Sequence, residues 1–182
     1  MQIFKLLSAL LDYPDGEFMD NLRAAVEETG DVRALVDSCE NADAYTPEER
    51  QRLAAFIIWL LAQDRLELEG RYVQTFDLAP EHSLHLTHHI FGEEKTRGPA
   101  LIDLSEYYRS YGFEHDEKEL PDYLPLILEF VSELSCDEAR VFLADTSKVL
   151  KVLASNLEEA ESPYAPIIRL VESQGSLARL AA

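Results

Sequence analysis

Apolar side chains recur at helical spacing through most of the chain. Leu53, Phe56, Ile57, Leu60 and Leu61 form one stripe, Leu68, Tyr72 and Phe76 a second, and Phe142, Thr146, Val149, Leu153 and Leu157 a third. No strand-like alternation of comparable length competes with them. Start signals precede each stripe. Thr46 with Glu49, Asp64 with Glu67 and Ser135 with Glu138 place a side-chain oxygen before a carboxylate three residues on, the spacing at which cap and carboxylate satisfy each other's orphan amides. Pro47 adds a residue suited to a first helical position.

The same periodicity predicts helices over Ile3 to Leu11, over 17–28 and over 99–111, where Gly112 and Phe113 fit a left-handed C-cap and its hydrophobic contact. Over 121–134, Leu120, Leu124, Ile127, Leu128, Val131 and Leu134 share one face, while Leu126 and Phe130 make a second side apolar. That helix is expected to be buried on two sides, with Pro121 and Asp122 in its first turn and Pro125 placed to kink it. A last, short and weakly capped helix is expected over 163–173, with a fraying tail after Gly175. The stretches 77–83 and 92–98 break the pattern and flank a histidine-rich segment, 84–91.

No repeat, low-complexity tract or linker divides the helices, and 182 residues suit one domain. The fold class expected is therefore all-α, a single-domain helical bundle spanning residues 1–182. Only 7 Gly and 8 Pro argue against a turn-rich β fold, and 47% apolar residues suffice for a core.

Charge narrows the partners. Sixteen basic against 35 acidic residues leave −19, spread evenly along the chain. Such a surface repels nucleic acid and anionic lipid and attracts basic proteins or peptides. Two cysteines, Cys39 and Cys136, lack metal-type spacing and imply no disulfide framework. The longest apolar run, 53–62, falls short of the ~20 residues of a membrane span. Asp12 and Pro14 follow the N-terminal apolar patch without a cleavage site, so a soluble, cytoplasmic, monomeric protein is expected.

Candidate chemistry is sparse. Four histidines, His82, His85, His88 and His89, fall within eight residues. If their segment were helical, His85 would face His88 and His89 at a spacing that holds a transition metal, with Asp77 or Asp103 as a third ligand. The competing role is capping, hydrogen bonding or lining a groove. Ser83 near His85 lacks a nucleophile elbow, Gly92 and Gly98 form no phosphate loop, and Glu117, Glu119, Asp122 and Glu129 are a cluster expected by chance among so many acids. An acidic helical bundle with apolar ridges instead suits a basic amphipathic segment.

Several stretches together resemble a known family. Residues 71–77 (Arg-Tyr-Val-Gln-Thr-Phe-Asp), 83–88 (Ser-Leu-His-Leu-Thr-His), Arg97 with Gly98, 119–125 (Glu-Leu-Pro-Asp-Tyr-Leu-Pro) and 128–130 are similar to the NarJ type of nitrate reductase assembly chaperone, as is Leu-Asp-Tyr-Pro at 11–14. The resemblance thins after about Cys136. It implies an all-α chaperone of the redox-enzyme maturation class, without catalysis or a cofactor of its own. Its implied partner is the apo catalytic subunit of respiratory nitrate reductase, bound partly through a basic N-terminal segment and kept competent for molybdenum cofactor insertion before membrane docking. The implied peptide-binding residues are Tyr72, Phe76, Asp77, His85, His88, Arg97, Glu119, Asp122 and Leu124. Each has a plainer role open to it: core for Tyr72, Phe76 and Leu124, a cap for Asp77, a buried ion pair for Arg97.

Overall fold

Side-chain caps set where the helices begin. The computed structural model describes residues 2–92, 96–114 and 118–180, with side chains as far as Gly175. Among them the α-helices are α1 (Ile3–Leu11), α2 (Gly16–Thr29), α3 (Val32–Asp37), α4 (Pro47–Leu61), α5 (Arg65–Tyr72), α6 (His88–Phe91), α7 (Arg97–Ser110), α8 (Leu124–Ser132), α9 (Cys136–Glu159) and α10 (Ala165–Leu180). There is no β-strand among the described residues, and the fold is all-α as expected.

Thr46 and Ser135 cap α4 and α9 in full reciprocal boxes. Asp64 caps α5 through the Leu66 and Glu67 amides without the return bond. Helix α3, capped by Asp31 after Gly30, is an element the stripes did not announce. At the end of α7, Gly112 takes φ +75°, its amide donates to the Arg109 carbonyl and that of Phe113 to the Tyr108 carbonyl. This double bond pattern closes orphan carbonyls and requires the left-handed residue that glycine supplies.

Several boundaries differ from expectation. Helix α7 begins at Arg97, two residues early. Helix α8 begins only at Leu124, so Pro121 and Asp122 lie in the turn before it; Pro125 then falls in the first turn, where a missing amide costs no bond and causes no kink. The delay arises because 122–124 pairs antiparallel with 84–86: Leu86 N–H donates to the Asp122 carbonyl (3.0 Å) and Leu124 N–H to the Leu84 carbonyl (2.9 Å). Helix α10 runs on to Leu180, past the expected end near Ser173.

Helices α9 and α10 form the most extensive packing contact, α1 lies along α8, and α4 packs on α3 and α10. The α9 core face is Ala139, Leu143, Ser147, Leu150, Leu153, Ala154 and Leu157, rotated from the expected stripe so that Phe142, Thr146 and Val149 flank it half-buried. Two neighbours explain the rotation, since α10 covers one side and the aromatic side chains of α7 and α8 approach the other. At the crossing, Gly175 meets the Leu143 carbonyl so closely that a Cβ would sit 2.4 Å from the oxygen. Helix α8 is buried on two sides as expected, although Leu120, ahead of it, is exposed.

Helix α5 continues into a π-helical turn, Val73–Asp77, which keeps Leu68, Tyr72 and Phe76 facing the core. A 3-10 turn, Pro80–His82, follows. Helix α7 is held differently from the rest. Among the described residues it makes no extended contact along another helix; its tyrosines meet Phe130 and Phe142, and its one buried residue, Tyr108, wedges against Phe113 and Phe130 while its hydroxyl donates to the Pro121 carbonyl (2.7 Å).

Candidate functional site

The paired segments 84–86 and 122–124 decide what surrounds Asp122. Alternation along the pairing buries Leu84, Leu86 and Leu124 and turns His85 outward. The Asp122 side chain points inward and is almost wholly buried. Its Oδ1 lies 3.3 Å from His85 Nδ1, while Oδ2 accepts from the Thr87 amide (3.1 Å), the Thr87 hydroxyl (2.5 Å) and Arg97 Nη2 (3.3 Å). Arg97 Nε also donates to Thr87 Oγ1 at 2.9 Å, so the arginine at the start of α7 grips the aspartate and the threonine together. Burial pushes the Asp122 pKa upward, but the bonds from His85 and Thr87 and the charges of His85 and Arg97 outweigh it and hold the group at about 2.

A second polar chain adjoins this centre. The Tyr72 hydroxyl lies 2.9 Å from the Leu11 carbonyl and 2.8 Å from the Tyr123 hydroxyl, which lies 3.0 Å from Asp12 Oδ1. Two hydroxyl protons serve three contacts, so two of the three are hydrogen bonds at any moment. Tyr123 also packs on the His85 ring (5.2 Å between centroids), and Tyr13 meets Tyr72 edge-on at 5.6 Å. Burial raises the phenol pKa values of both Tyr72 and Tyr123, keeping them protonated donors.

Segments far apart in sequence thus converge: 11–14, 71–77, 83–88, Arg97 and 119–125. Of the nine expected peptide-contact residues, Tyr72, Phe76, Asp122 and Leu124 are buried. Phe76 packs between Tyr72 and Tyr164 at 4.9 and 4.8 Å. Asp77, His85, His88, Arg97 and Glu119 retain exposure. Asp77 caps nothing, since the turn after it starts from Ala79. Arg97 takes the ion-pair role. Thr87, Tyr123 and Asp12 were not among the expected residues; Thr87 and Tyr123 lie inside the resembling stretches but carry no local mark that separates them from their neighbours.

The histidines do not converge on one point. His85 sits in the paired segment and not in a helix, which removes the face it was expected to share with His88 and His89. His82 is buried with Nδ1 on the Thr75 carbonyl and Nε2 on the Asn156 carbonyl, and His89 Nε2 donates to the Ser83 carbonyl at 2.7 Å. No group of three metal-ligating side chains occurs among the described residues; Glu117 lies outside them. No described helix is long and apolar enough to cross a membrane.

Polar atoms at this centre tie distant chain segments to one another within an all-α fold. The model of the family described as the nitrate reductase delta subunit matches residues 40–169, and the chain belongs to that family. It is similar to the nitrate reductase molybdenum cofactor assembly chaperone NarJ of Escherichia coli (strain K12), 31% identical over 166 residues that cover 91% of this chain and 66% of that one. Similarity extends to the probable chaperone NarJ of Bacillus subtilis (strain 168), 33% identical over 174 residues, covering 92% and 85% respectively. The probable chaperone NarW of Escherichia coli is 32% identical over 177 residues, covering 97% and 69%. The chain therefore spans just under two thirds of the length of the Escherichia coli NarJ.

Proposed function

We propose that this protein is a system-specific chaperone of a respiratory nitrate reductase. It binds the apo catalytic subunit, in part through a basic N-terminal segment of that subunit, and keeps it competent for molybdenum cofactor insertion before membrane docking. It acts in the cytoplasm as a monomer, performs no catalysis and carries no cofactor of its own. The observation that carries this reading is the similarity over nine-tenths of the chain to proteins named as chaperones of this assembly step. A net charge of −19 suits a basic ligand.

The test is co-purification. Tagged chaperone is expressed with the untagged catalytic subunit, either intact or lacking its N-terminal segment, in cells unable to make the molybdenum cofactor. The intact subunit is expected to co-purify in stoichiometric amount and the truncated one to be retained weakly. Failure to retain the intact subunit overturns the function.

A further inference from the structure

At the turn between α9 and α10 the surface carries two small openings that share Pro163. The first is an apolar notch of about 220 Å³, lined by Arg52, Ala55, Phe56 and Trp59 of α4 with Pro163 and Pro166. Its floor is fixed, since the Phe56 and Trp59 rings lie 5.4 Å apart and both meet the buried Tyr164 ring edge-on, at 5.3 and 6.0 Å. Trp59, the chain's single tryptophan, is half-buried and Pro166 is exposed, so the notch opens to water. The second opening, of about 230 Å³, is polar, and Arg71, Gln74, Thr75, Glu161 and Ser162 contribute to its lining.

Charge on this face runs against that of the chain. Arg23, Arg50, Arg65, Arg97, Arg140 and Arg169 stand in ion pairs, whereas Arg52 and Arg71 form neither an ion pair nor a side-chain hydrogen bond among the described residues. Glu161 is the one acid among the described lining residues, so two unpaired cations stand against a single carboxylate in a chain of −19. The Tyr164 hydroxyl, next in the chain to the shared proline, is buried without a hydrogen-bond partner among the described residues. Burial raises its phenol pKa and the charge of Arg71 works against that rise, which sets the guanidinium close to the ring that floors the notch.

Each opening is smaller than the roughly 300–1,000 Å³ of small-molecule sites and suits a single side chain, which favours a polypeptide that reaches into both. Trp and Arg are also the side chains that dominate binding energy at protein interfaces. We propose that the face formed by Arg52, Trp59, Pro163 and Arg71 docks an acidic segment of a partner protein, one apolar side chain entering the notch and a carboxylate on each side of it meeting Arg52 and Arg71. The assignment goes beyond client binding and does not rest on it. A basic client segment would meet two cations without counter-charges here, and a second copy of the chain brings −19 against −19. The occupant is therefore a different protein, acidic around an apolar anchor.

The single tryptophan reports on the site. Trp59 emission of the full chain is followed during titration with a Trp-free synthetic peptide of about nine residues (~30 Å extended), in which a central Leu is flanked by Glu on both sides and Ser fills the ends. Anisotropy of the same peptide, labelled, gives the affinity. Peptides with Lys in place of Glu, or Ser in place of the Leu, are expected to bind at least roughly tenfold more weakly. Arg52→Glu and Arg71→Glu are each expected to weaken the acidic peptide at least roughly tenfold, as is Pro166→Glu, which sets a carboxylate at the notch. Arg109→Glu, which reverses an exposed charge on α7, is expected to change affinity less than about twofold. Circular dichroism melts confirm which variants fold, and any one folded variant of the three at the site decides. Binding that does not saturate by about 1 mM, equal affinity for the Lys peptide, or unchanged affinity in a folded site variant overturns the assignment. An equal loss in Arg109→Glu overturns it too, since net charge alone would then explain the effect. So does a dimer, read by light scattering, that Arg71→Glu dissociates, because the occupant would then be a second copy.

Discussion

Arg97 Nη2 and Asp122 Oδ2 lie 3.3 Å apart, and this contact joins the start of α7 to the turn before α8. Asp122 is 1% exposed and Arg97 23%, so the pair is largely removed from water. A buried carboxylate facing an arginine, a histidine and two Thr87 donors is stable only while all remain. The polar centre therefore acts as a clasp that ties the start of α7 to the turn before α8.

Asp122→Asn is expected to destabilise the protein by about 2–3 kcal/mol, because an amide turns a donor toward donors and leaves Arg97 without its counter-charge. Urea unfolding of both proteins measures this at pH 7. The pH dependence follows from the depressed folded pKa of about 2. The stabilisation is fully present above the unfolded value of about 3.9 and is lost as pH falls toward 2, a contribution of about 2 kcal/mol. The difference between wild type and Asp122→Asn should accordingly shrink below about pH 4. A difference that stays constant from pH 7 to 2.5 would contradict the ionised clasp.

Tyr72→Phe and Tyr123→Phe should each cost about 1 kcal/mol, and the double variant less than their sum, with a coupling of about 0.5–1 kcal/mol. The reason is the shared run of bonds from Asp12 to the Leu11 carbonyl, which either hydroxyl interrupts. Strict additivity in a double-mutant cycle would show that the two phenols act independently.

Two glycines predict opposite signs for the same substitution. Gly175→Ala forces a Cβ against the Leu143 carbonyl in the α9–α10 crossing and should cost about 2–3 kcal/mol. Gly70 lies in α5 with nothing within 4 Å of an added Cβ, so Gly70→Ala should gain about 0.5–1 kcal/mol of helix propensity. Thermal melts of the two variants compare them directly.

Metal removal should leave the protein unchanged. His82 and His89 already face backbone carbonyls, and His85 faces Asp122. Purified protein is expected to carry no stoichiometric Zn, Fe or Mn by mass spectrometry, and EDTA to leave the melting temperature where it was. One equivalent of tightly held metal would restore the metal site that the histidine spacing first suggested.

Affinity for a peptide of the basic client segment should fall as salt rises, since surface charges in water are screened beyond about 8 Å at physiological ionic strength and the chain carries −19. Calorimetry across a salt series reads the slope, and a flat response would remove the electrostatic part of recognition.

Much of the architecture is written locally. Thr46–Glu49 and Ser135–Glu138 close their caps within three residues, and the Leu68, Tyr72 and Phe76 stripe needs only helical geometry to find its face. Gly112 and Phe113 mark the end of α7 for the same reason, since a left-handed residue and its following contact lie within one turn. The acidic balance and the family resemblance were equally available from the residues alone. Tertiary structure decided the rest. Asp122 carries the marks of a helix start, yet its segment pairs with 84–86, some 37 residues away, and that pairing buries it and draws His85 out of a helix. The α9 stripe turns because α10 covers one side and the α7 and α8 aromatics the other, leaving Phe142 to face Tyr107. Periodicity says that a face is apolar; which neighbour covers it, or whether one does, depends on packing between segments that no local spacing encodes.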